Sequence, residues 1–385
     1  MMVNSYELLF AFLRKEICGA SQNIDLENIS SEQYNTLYKI SKSHDLAHIV
    51  GSALYSAGVE IEPELSSKLH KAQMVAIYRM TQIGYEQERI CQALETAEIP
   101  FMPLKGAIIR QYYPNPEARI SCDVDIYVKE ENLDKAISVL VSELGYKLGQ
   151  KNIYDVYLYA DSGVHIELHF ALTERDEKVD AVLEDIWDTA TFADKSRYQY
   201  IMNNEMFFVY HIAHMAKHFI YGGCGIKPFM DLWIIKNRMG YDADTVNALL
   251  KRCGLDVFAD AVMLLSDIWF DDAQHTDLTR EMEKYIIGAG SYGTVENMVA
   301  ISQTKSGGRL KYALGRIFQP YSKLKIYYPR LEKHPVLFPY YQVKRWCRIL
   351  FTKDRDHAFA ELKHNKLVSD DKKKRLINLC NNLNL

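Results

Sequence analysis

Two short stretches of this chain alternate strictly between apolar and polar side chains, and both carry acids on the polar side. Residues 122–128 read Cys-Asp-Val-Asp-Ile-Tyr-Val, and residues 164–170 read Val-His-Ile-Glu-Leu-His-Phe. A period of two marks a strand with one face buried and the other open. Asp123 and Asp125 then project side by side, while Val124, Ile126 and Val128 point the other way. In the second stretch His165, Glu167 and His169 share one face, and Ile166, Leu168 and Phe170 the other. Pairing these strands would gather three carboxylates on one sheet face. Such charges repel and lose hydration unless a cation lies among them. Mg²⁺ takes oxygen ligands and suits that role. Three carboxylates so arranged build a two-metal phosphoryl-transfer site, with ions about 3.5–4 Å apart.

A third element precedes them. The apolar run 99–104 ends at Lys105-Gly106, and a helix-like run follows. Gly106 lacks a Cβ, so a phosphate can approach its backbone. A helix N-terminus offers free N–H groups to an anion, and Lys105 adds a charge.

The rest of the chain reads as helix. Residues 1–95 form an N-terminal helical region: Ser5 opens one helix as a cap, Ser30 or Ser31 precedes Glu32 ahead of helically spaced Leu37, Ile40 and His44, and Pro63 opens a long helix to about residue 97. Its role is to pack on the sheet. Residues 96–190 form the α/β core, with strands at 99–103, 122–128, 154–159 and 164–170 and helices at 106–112 and 131–143; Gly145 stops the second helix. Helices cover one sheet face and the acids occupy the other. Residues 191–385 form a helical domain, with helices at 205–219, 228–239, 243–253, 256–269, 278–287 and 339–350. The fold class is α+β: a small mixed sheet flanked by helical regions.

The 385 residues are 48% hydrophobic and 25% charged, with net charge −4, which argues against a general nucleic-acid coat and suits a globular chain. The seven cysteines (18, 91, 122, 224, 253, 347 and 380) form no Cys-x-x-Cys pair and are odd in number. They read as reduced thiols in a cytoplasmic protein. The opening Met-Met-Val-Asn-Ser-Tyr-Glu shows no secretory leader. No apolar run approaches the roughly 20 residues that cross a bilayer.

Other clusters admit two readings. His211, His214 and His218 share one helix face. Completed by Asp231, they could bind a transition metal; otherwise they line a cleft with Lys217 near a triphosphate, or form a structural stripe. Arg119 could neutralise the acids, grip a phosphate, or sit on the surface. His169 could orient Glu167, touch a phosphate, or simply pack. Gly222-Gly223-Cys224-Gly225 is too irregular for a phosphate loop and reads as a flexible turn. The 316–348 segment interleaves basic and aromatic residues. It reads as packing surface first, with acceptor, single-stranded nucleic acid or membrane-surface contact as alternatives. The run 372–375 reads as a solvated helix face.

The order Lys105-Gly106, Arg119-x-x-x-Asp123-x-Asp125, then Ile166-Glu167-Leu168-His169 resembles the polymerase-beta-type nucleotidyltransferases. Within them the chain is most similar to the bacterial "uncharacterised nucleotidyltransferase" family. The likeness takes in Ala97-Glu98-Ile99-Pro100, Tyr113-Pro114, His211, His214, Lys217, His218, Asp231-Leu232, Phe318-Gln319-Pro320 and Arg345. Ala107 follows Lys105-Gly106 where much of the superfamily has Gly-Ser or Gly-Gly, which shifts phosphate contact onto Lys105 and backbone amides. The resemblance implies transfer of a nucleoside monophosphate from an NTP, ATP first, to a hydroxyl on a small molecule, RNA end or protein, with pyrophosphate released. It implies catalysis by Asp123, Asp125 and Glu167 on two Mg²⁺ ions, or Mn²⁺, with Lys105, Gly106, Arg119, His214, Lys217 and His218 as nucleotide contacts. Two alternatives stand beside it: a non-catalytic NTP- or partner-binding protein of the same fold, and a metal-dependent hydrolase centred on His211, His214, His218 and Asp231.

Overall fold

The computed structural model describes residues 5–19, 29–174, 176–291, 293–328, 330–351 and 354–385. Residues 1–4, on which the reading of the N-terminus partly rests, lie outside them. The chain divides into two compact units. One comprises the chain up to Met215 together with Ile226–Arg280; the other comprises Ala216–Gly225 together with Glu281–Leu385.

The first unit opens with α1 (Ser5–Cys18), α2 (Ser31–Ser43), α3 (Ala47–Ser56) and α4 (Pro63–Thr96). Ser30 caps α2 in a reciprocal box: its Oγ accepts from the Gln33 N–H, and the Gln33 side chain accepts from the Ser30 N–H. Pro63 opens α4, where its missing N–H costs nothing.

The core follows as β1 (Phe101–Pro103), α5 (Gly106–Ile109), β2 (Asp123–Val128), α6 (Leu133–Ser142), β3 (Lys147–Lys151), β4 (Asp155–Tyr159) and β5 (His165–His169). The sheet order is β1-β2-β5-β4-β3. Only β2 and β5 run parallel; the other neighbours are antiparallel. The fold is therefore α+β, with a mixed five-stranded sheet between helical regions. β3 was not legible as a strand: every residue of Lys147–Lys151 is exposed, so it shows no apolar alternation and exists by edge pairing with β4.

Alternation decides which face is covered. Val124, Ile126, Val128, Ile166 and Leu168 pack against Ile83, Ile90 and Leu94 of α4 and Leu133, Ala136 and Leu140 of α6. Burying aliphatics there at about 25 cal/mol per Å² holds α4 and α6 on that face. The acids of β2 and β5 fall on the opposite one.

Beyond β5 come α7 (Glu177–Leu183), α8 (Ile186–Thr189), a hairpin of β6 (Thr191–Phe192) and β7 (Tyr200–Ile201), α9 (Asn204–Ile220), α10 (Lys227–Arg238), α11 (Ala243–Cys253) and α12 (Asp256–Phe270). An aromatic core joins α1 to α10 and α12. Trp269 stacks on Phe10 at 4.7 Å and meets Phe229 edge-on at 4.6 Å.

The second unit holds the end of α13 (Asp277–Ala289), then α14 (Val295–Lys305), α15 (Arg309–Ile317), α16 (Tyr321–Tyr327), α17 (Arg330–Lys333), α18 (Phe338–Phe351), α19 (Asp354–Leu367) and α20 (Asp370–Asn382). The Gly222–Gly225 turn belongs here, and contact rather than freedom demands its glycines. A Cβ on Gly222 would lie 2.8 Å from the Thr294 carbonyl oxygen, and one on Gly223 2.5 Å from Ala289 Cβ. Both glycines also have positive φ. All seven cysteines are free. Among the described residues no helix is long and apolar enough to cross a membrane.

Candidate active site

The parallel pairing of β2 with β5 sets Asp123 opposite His165, Asp125 opposite Glu167 and Tyr127 opposite His169. A slip of one residue would turn every one of these side chains into the apolar core. The buried Val124, Ile126, Ile166 and Leu168 forbid that slip, so the core specifies the acidic face.

Asp125 is the centre of this face. It is 6% exposed, and its Oδ1 accepts from Lys105 Nζ at 3.1 Å and from His169 Nε2 at 2.9 Å. His169 Nε2 also lies 3.5 Å from Glu167 Oε2, and His165 Nδ1 lies 3.9 Å from Glu167 Oε1. Tyr157 of β4 stands directly opposite Glu167.

The electrostatics follow from this crowding. Burial pushes the Asp125 carboxyl up, but the Lys105 charge and the His169 hydrogen bond more than offset it, holding it well below the usual carboxylate range. Burial and then the Asp125 charge raise Asp123. The same two causes push Glu167 up to about 7. Burial opposes charge on Lys105, yet Asp125, Tyr210, Glu167 and Asp123 together keep its ammonium far above the ordinary lysine value. One carboxylate is thus neutralised by Lys105, while burial and the Asp125 charge disfavour the charged forms of the next two.

Among the described residues, one group of His, Cys, Asp and Glu has donor atoms close enough to share a metal ion. It is Asp125, Glu167 and His169, whose donors lie within 4.8 Å of one another. Asp123 shares the face but stands one pair further along the strand. Oxygen donors dominate this set, which suits a hard divalent cation.

Lys105 reaches Asp125 from the turn after β1. Its φ of +44° and ψ of −111° are rarely tolerated by a side chain with a Cβ. Its carbonyl accepts from the N–H groups of Ile108 and Ile109. Gly106 opens α5, which is only one turn long. A Cβ there would meet Ser121 Oγ at 3.4 Å, so that direction is already in contact with protein. Arg110 braces the same spot, donating to Ser121 Oγ at 2.8 Å and to the Arg119 carbonyl at 3.1 Å.

Arg119 and Asp231 form a separate buried pair. Arg119 Nε donates to both Asp231 oxygens, at 2.7 and 2.9 Å, and the Tyr113 hydroxyl donates to Asp231 Oδ1 at 2.7 Å. Burial would raise the Asp231 carboxyl, but Arg119 holds it below its ordinary value. The pair ties the segment leading into β2 to α10. The carboxylate of Asp231 is therefore engaged by Arg119 and Tyr113, and it forms no metal group with the histidines. His211 Nε2 contacts the Pro228 carbonyl oxygen at 2.8 Å, and His214 Nδ1 contacts Glu174 Oε1 at 3.1 Å. Lys217 and His218 stand on the last turns of α9, in the second unit.

Sequence reasoning missed Glu174 and Tyr210. Both are buried. Glu174 follows β5 in an irregular loop, and no periodicity links it to His214, 40 residues on. Tyr210 reads as one more apolar position on α9, yet its phenol feels the charges of Lys105, Asp125 and Glu167.

A family model described as "Uncharacterised nucleotidyltransferase" matches residues 30–271, well over half of the chain. No curated protein and no solved structure matches the chain.

Proposed function

The chain belongs to the uncharacterised nucleotidyltransferase family, and from that premise we propose that it is a magnesium-dependent enzyme. In this reading it moves a nucleoside monophosphate from an NTP, ATP first, to a hydroxyl acceptor. The observation that carries it is the in-register set of Asp123, Asp125 and Glu167, with too few cations of its own to balance it.

Asp125 and Glu167, joined by Asp123, would hold the divalent ions. Bound there, the ions would supply Lewis-acid chemistry, neutralising the triphosphate and acidifying the acceptor hydroxyl. Lys105 remains protonated beside Asp125 and presents a fixed cation to phosphate oxygens as charge moves onto the leaving group. Glu167 is the carboxylate placed to receive the acceptor's proton, through an oxygen that an ion leaves free. The acceptor oxygen then bonds the α-phosphorus, the bond to the β-phosphate bridge breaks, and pyrophosphate leaves. His169 holds Asp125 in orientation, and the Arg119–Asp231 pair positions the approach to β2.

The test is pyrophosphate release from each NTP in Mg²⁺, with Asp123→Ala and Asp125→Ala compared against the parent chain. Each substitution should abolish turnover while far-UV circular dichroism is unchanged. Undiminished turnover in either variant would sink the mechanism.

A further inference from the structure

The second unit carries a face built against the usual rule of apolar inside and polar outside. On α18, Gln342 and Arg345 are buried, whereas Tyr340, Val343 and Leu350 are exposed by half or more. The exposed three recur at i, i+3 and i+10, so they form one stripe along the helix. On α15, Leu310, Leu314 and Ile317 recur at i, i+4 and i+7 and are exposed as well.

The two stripes adjoin. Arg345 donates to the carbonyls of Arg316 at 2.8 Å and Ile317 at 3.2 Å, and the Trp346 indole N–H donates to the Ile317 carbonyl at 2.7 Å. These bonds satisfy the free carbonyls at the end of α15. The Phe318 ring meets Trp346 edge-on at 5.4 Å. Trp346 lies three residues from Val343 and four from Leu350, so the end of the first stripe abuts the second.

Charge says what covers this face. Residues 309–351 contain ten lysines and arginines and one acid, Glu332, for a local net charge of +9 within a chain of −4. Lys311 and Lys344 are exposed beside the stripes. Arg345 is buried and Arg316 is paired with Glu361, but the exposed Lys311 and Lys344 of one copy would still meet basic groups of the other in a symmetric contact. Single-stranded nucleic acid would use the cations and stack on Tyr340 and Phe318, but it would leave the aliphatic Leu310, Leu314, Val343 and Leu350 without a partner. An anionic bilayer surface takes all three features together: basic groups at the headgroups, Tyr and Trp at the interface, and aliphatics below them.

We propose that the α15–α18 face is a peripheral docking surface for anionic lipid membranes. The chain lies on the bilayer there without crossing it.

The test is flotation of the full chain with vesicles of phosphatidylcholine alone and of phosphatidylcholine mixed equally with phosphatidylglycerol. Flotation should need the anionic lipid and fall with added salt. Leu314→Glu combined with Val343→Glu should abolish it. Lys344→Glu should weaken it by about tenfold or more, since the reversal removes an attraction of about 1 kcal/mol and adds a repulsion of similar size. The milder pair Leu314→Gln and Val343→Gln should weaken it with circular dichroism unchanged, separating lost docking from lost fold. Equal flotation with neutral vesicles, or flotation indifferent to these substitutions, overturns the proposal. So does a face that instead binds a labelled single-stranded oligonucleotide or pairs two chains in solution.

Discussion

The Lys105 ammonium lies 3.1 Å from Asp125 Oδ1, joining two positions 20 residues apart across the neighbouring strands β1 and β2. Asp125 is nearly sealed from water, while the lysine keeps a quarter of its side chain exposed. The lysine therefore neutralises the deepest carboxylate from the open side of the site. Its backbone is held in a left-handed conformation to do so.

Removing that charge leaves Asp125 buried with His169 as its remaining donor, so Lys105→Ala should destabilise the protein by about 3 kcal/mol or more. Lys105→Gly should cost less, because it relieves a backbone strain of about 1–3 kcal/mol. Both should lose turnover alike. Urea unfolding midpoints check this; equal stability of the two variants would contradict the strain.

The pH dependence of the metal-free protein follows from Glu167. Its folded carboxyl is raised from an ordinary 4.5 to about 7. The contribution is thus present below about pH 4.5 and is lost as pH rises through about 7. Mg²⁺ competes with that proton, so it should stabilise the protein strongly above pH 7 and weakly near pH 5. Denaturation with and without Mg²⁺ measures this, and Glu167→Gln should remove the step.

Asp231 provides a contrast between scaffold and ligand. Asp231→Ala leaves the Arg119 guanidinium buried without its counter-charge and should cost about 3–5 kcal/mol. Tyr113→Phe removes one hydrogen bond and should cost about 1 kcal/mol. Neither should alter Mg²⁺ affinity by calorimetric titration. A stable Asp231→Ala protein that had lost a bound metal would reverse this assignment.

Chelation should abolish turnover, and Mg²⁺ or Mn²⁺ should restore it. Asp125→Asn should weaken calorimetric Mg²⁺ binding by at least tenfold, because a neutral amide replaces the most strongly ionised carboxylate on the face. Full turnover in excess chelator would exclude metal dependence.

Much of the core was legible before any coordinates. Strict alternation located β2 and β5 within a residue, because each has one face in the aliphatic core and one outside it. Pro63 marked a helix start by local chemistry, and the serine pair Ser30-Ser31 ahead of Glu32 marked another, the structure choosing Ser30 as its cap. The exposed edge strand β3 escaped notice because nothing in Lys147–Lys151 is buried. Glu174 escaped for a different reason: its partner is distant in sequence and its loop has no period.

The sequence by itself determined that Asp123, Asp125 and Glu167 would face away from the core, since a two-residue period leaves their apolar neighbours no other place. It did not determine what each acid would meet. Parallel register set Asp125 across from Glu167, a turn held at positive φ brought Lys105 to Asp125, and α10 drew Arg119 onto Asp231. Those choices are tertiary because charges act through space in a desolvated interior. The same arginine or histidine can neutralise an acid, cap a carbonyl or face a phosphate, depending on what the folded chain sets beside it.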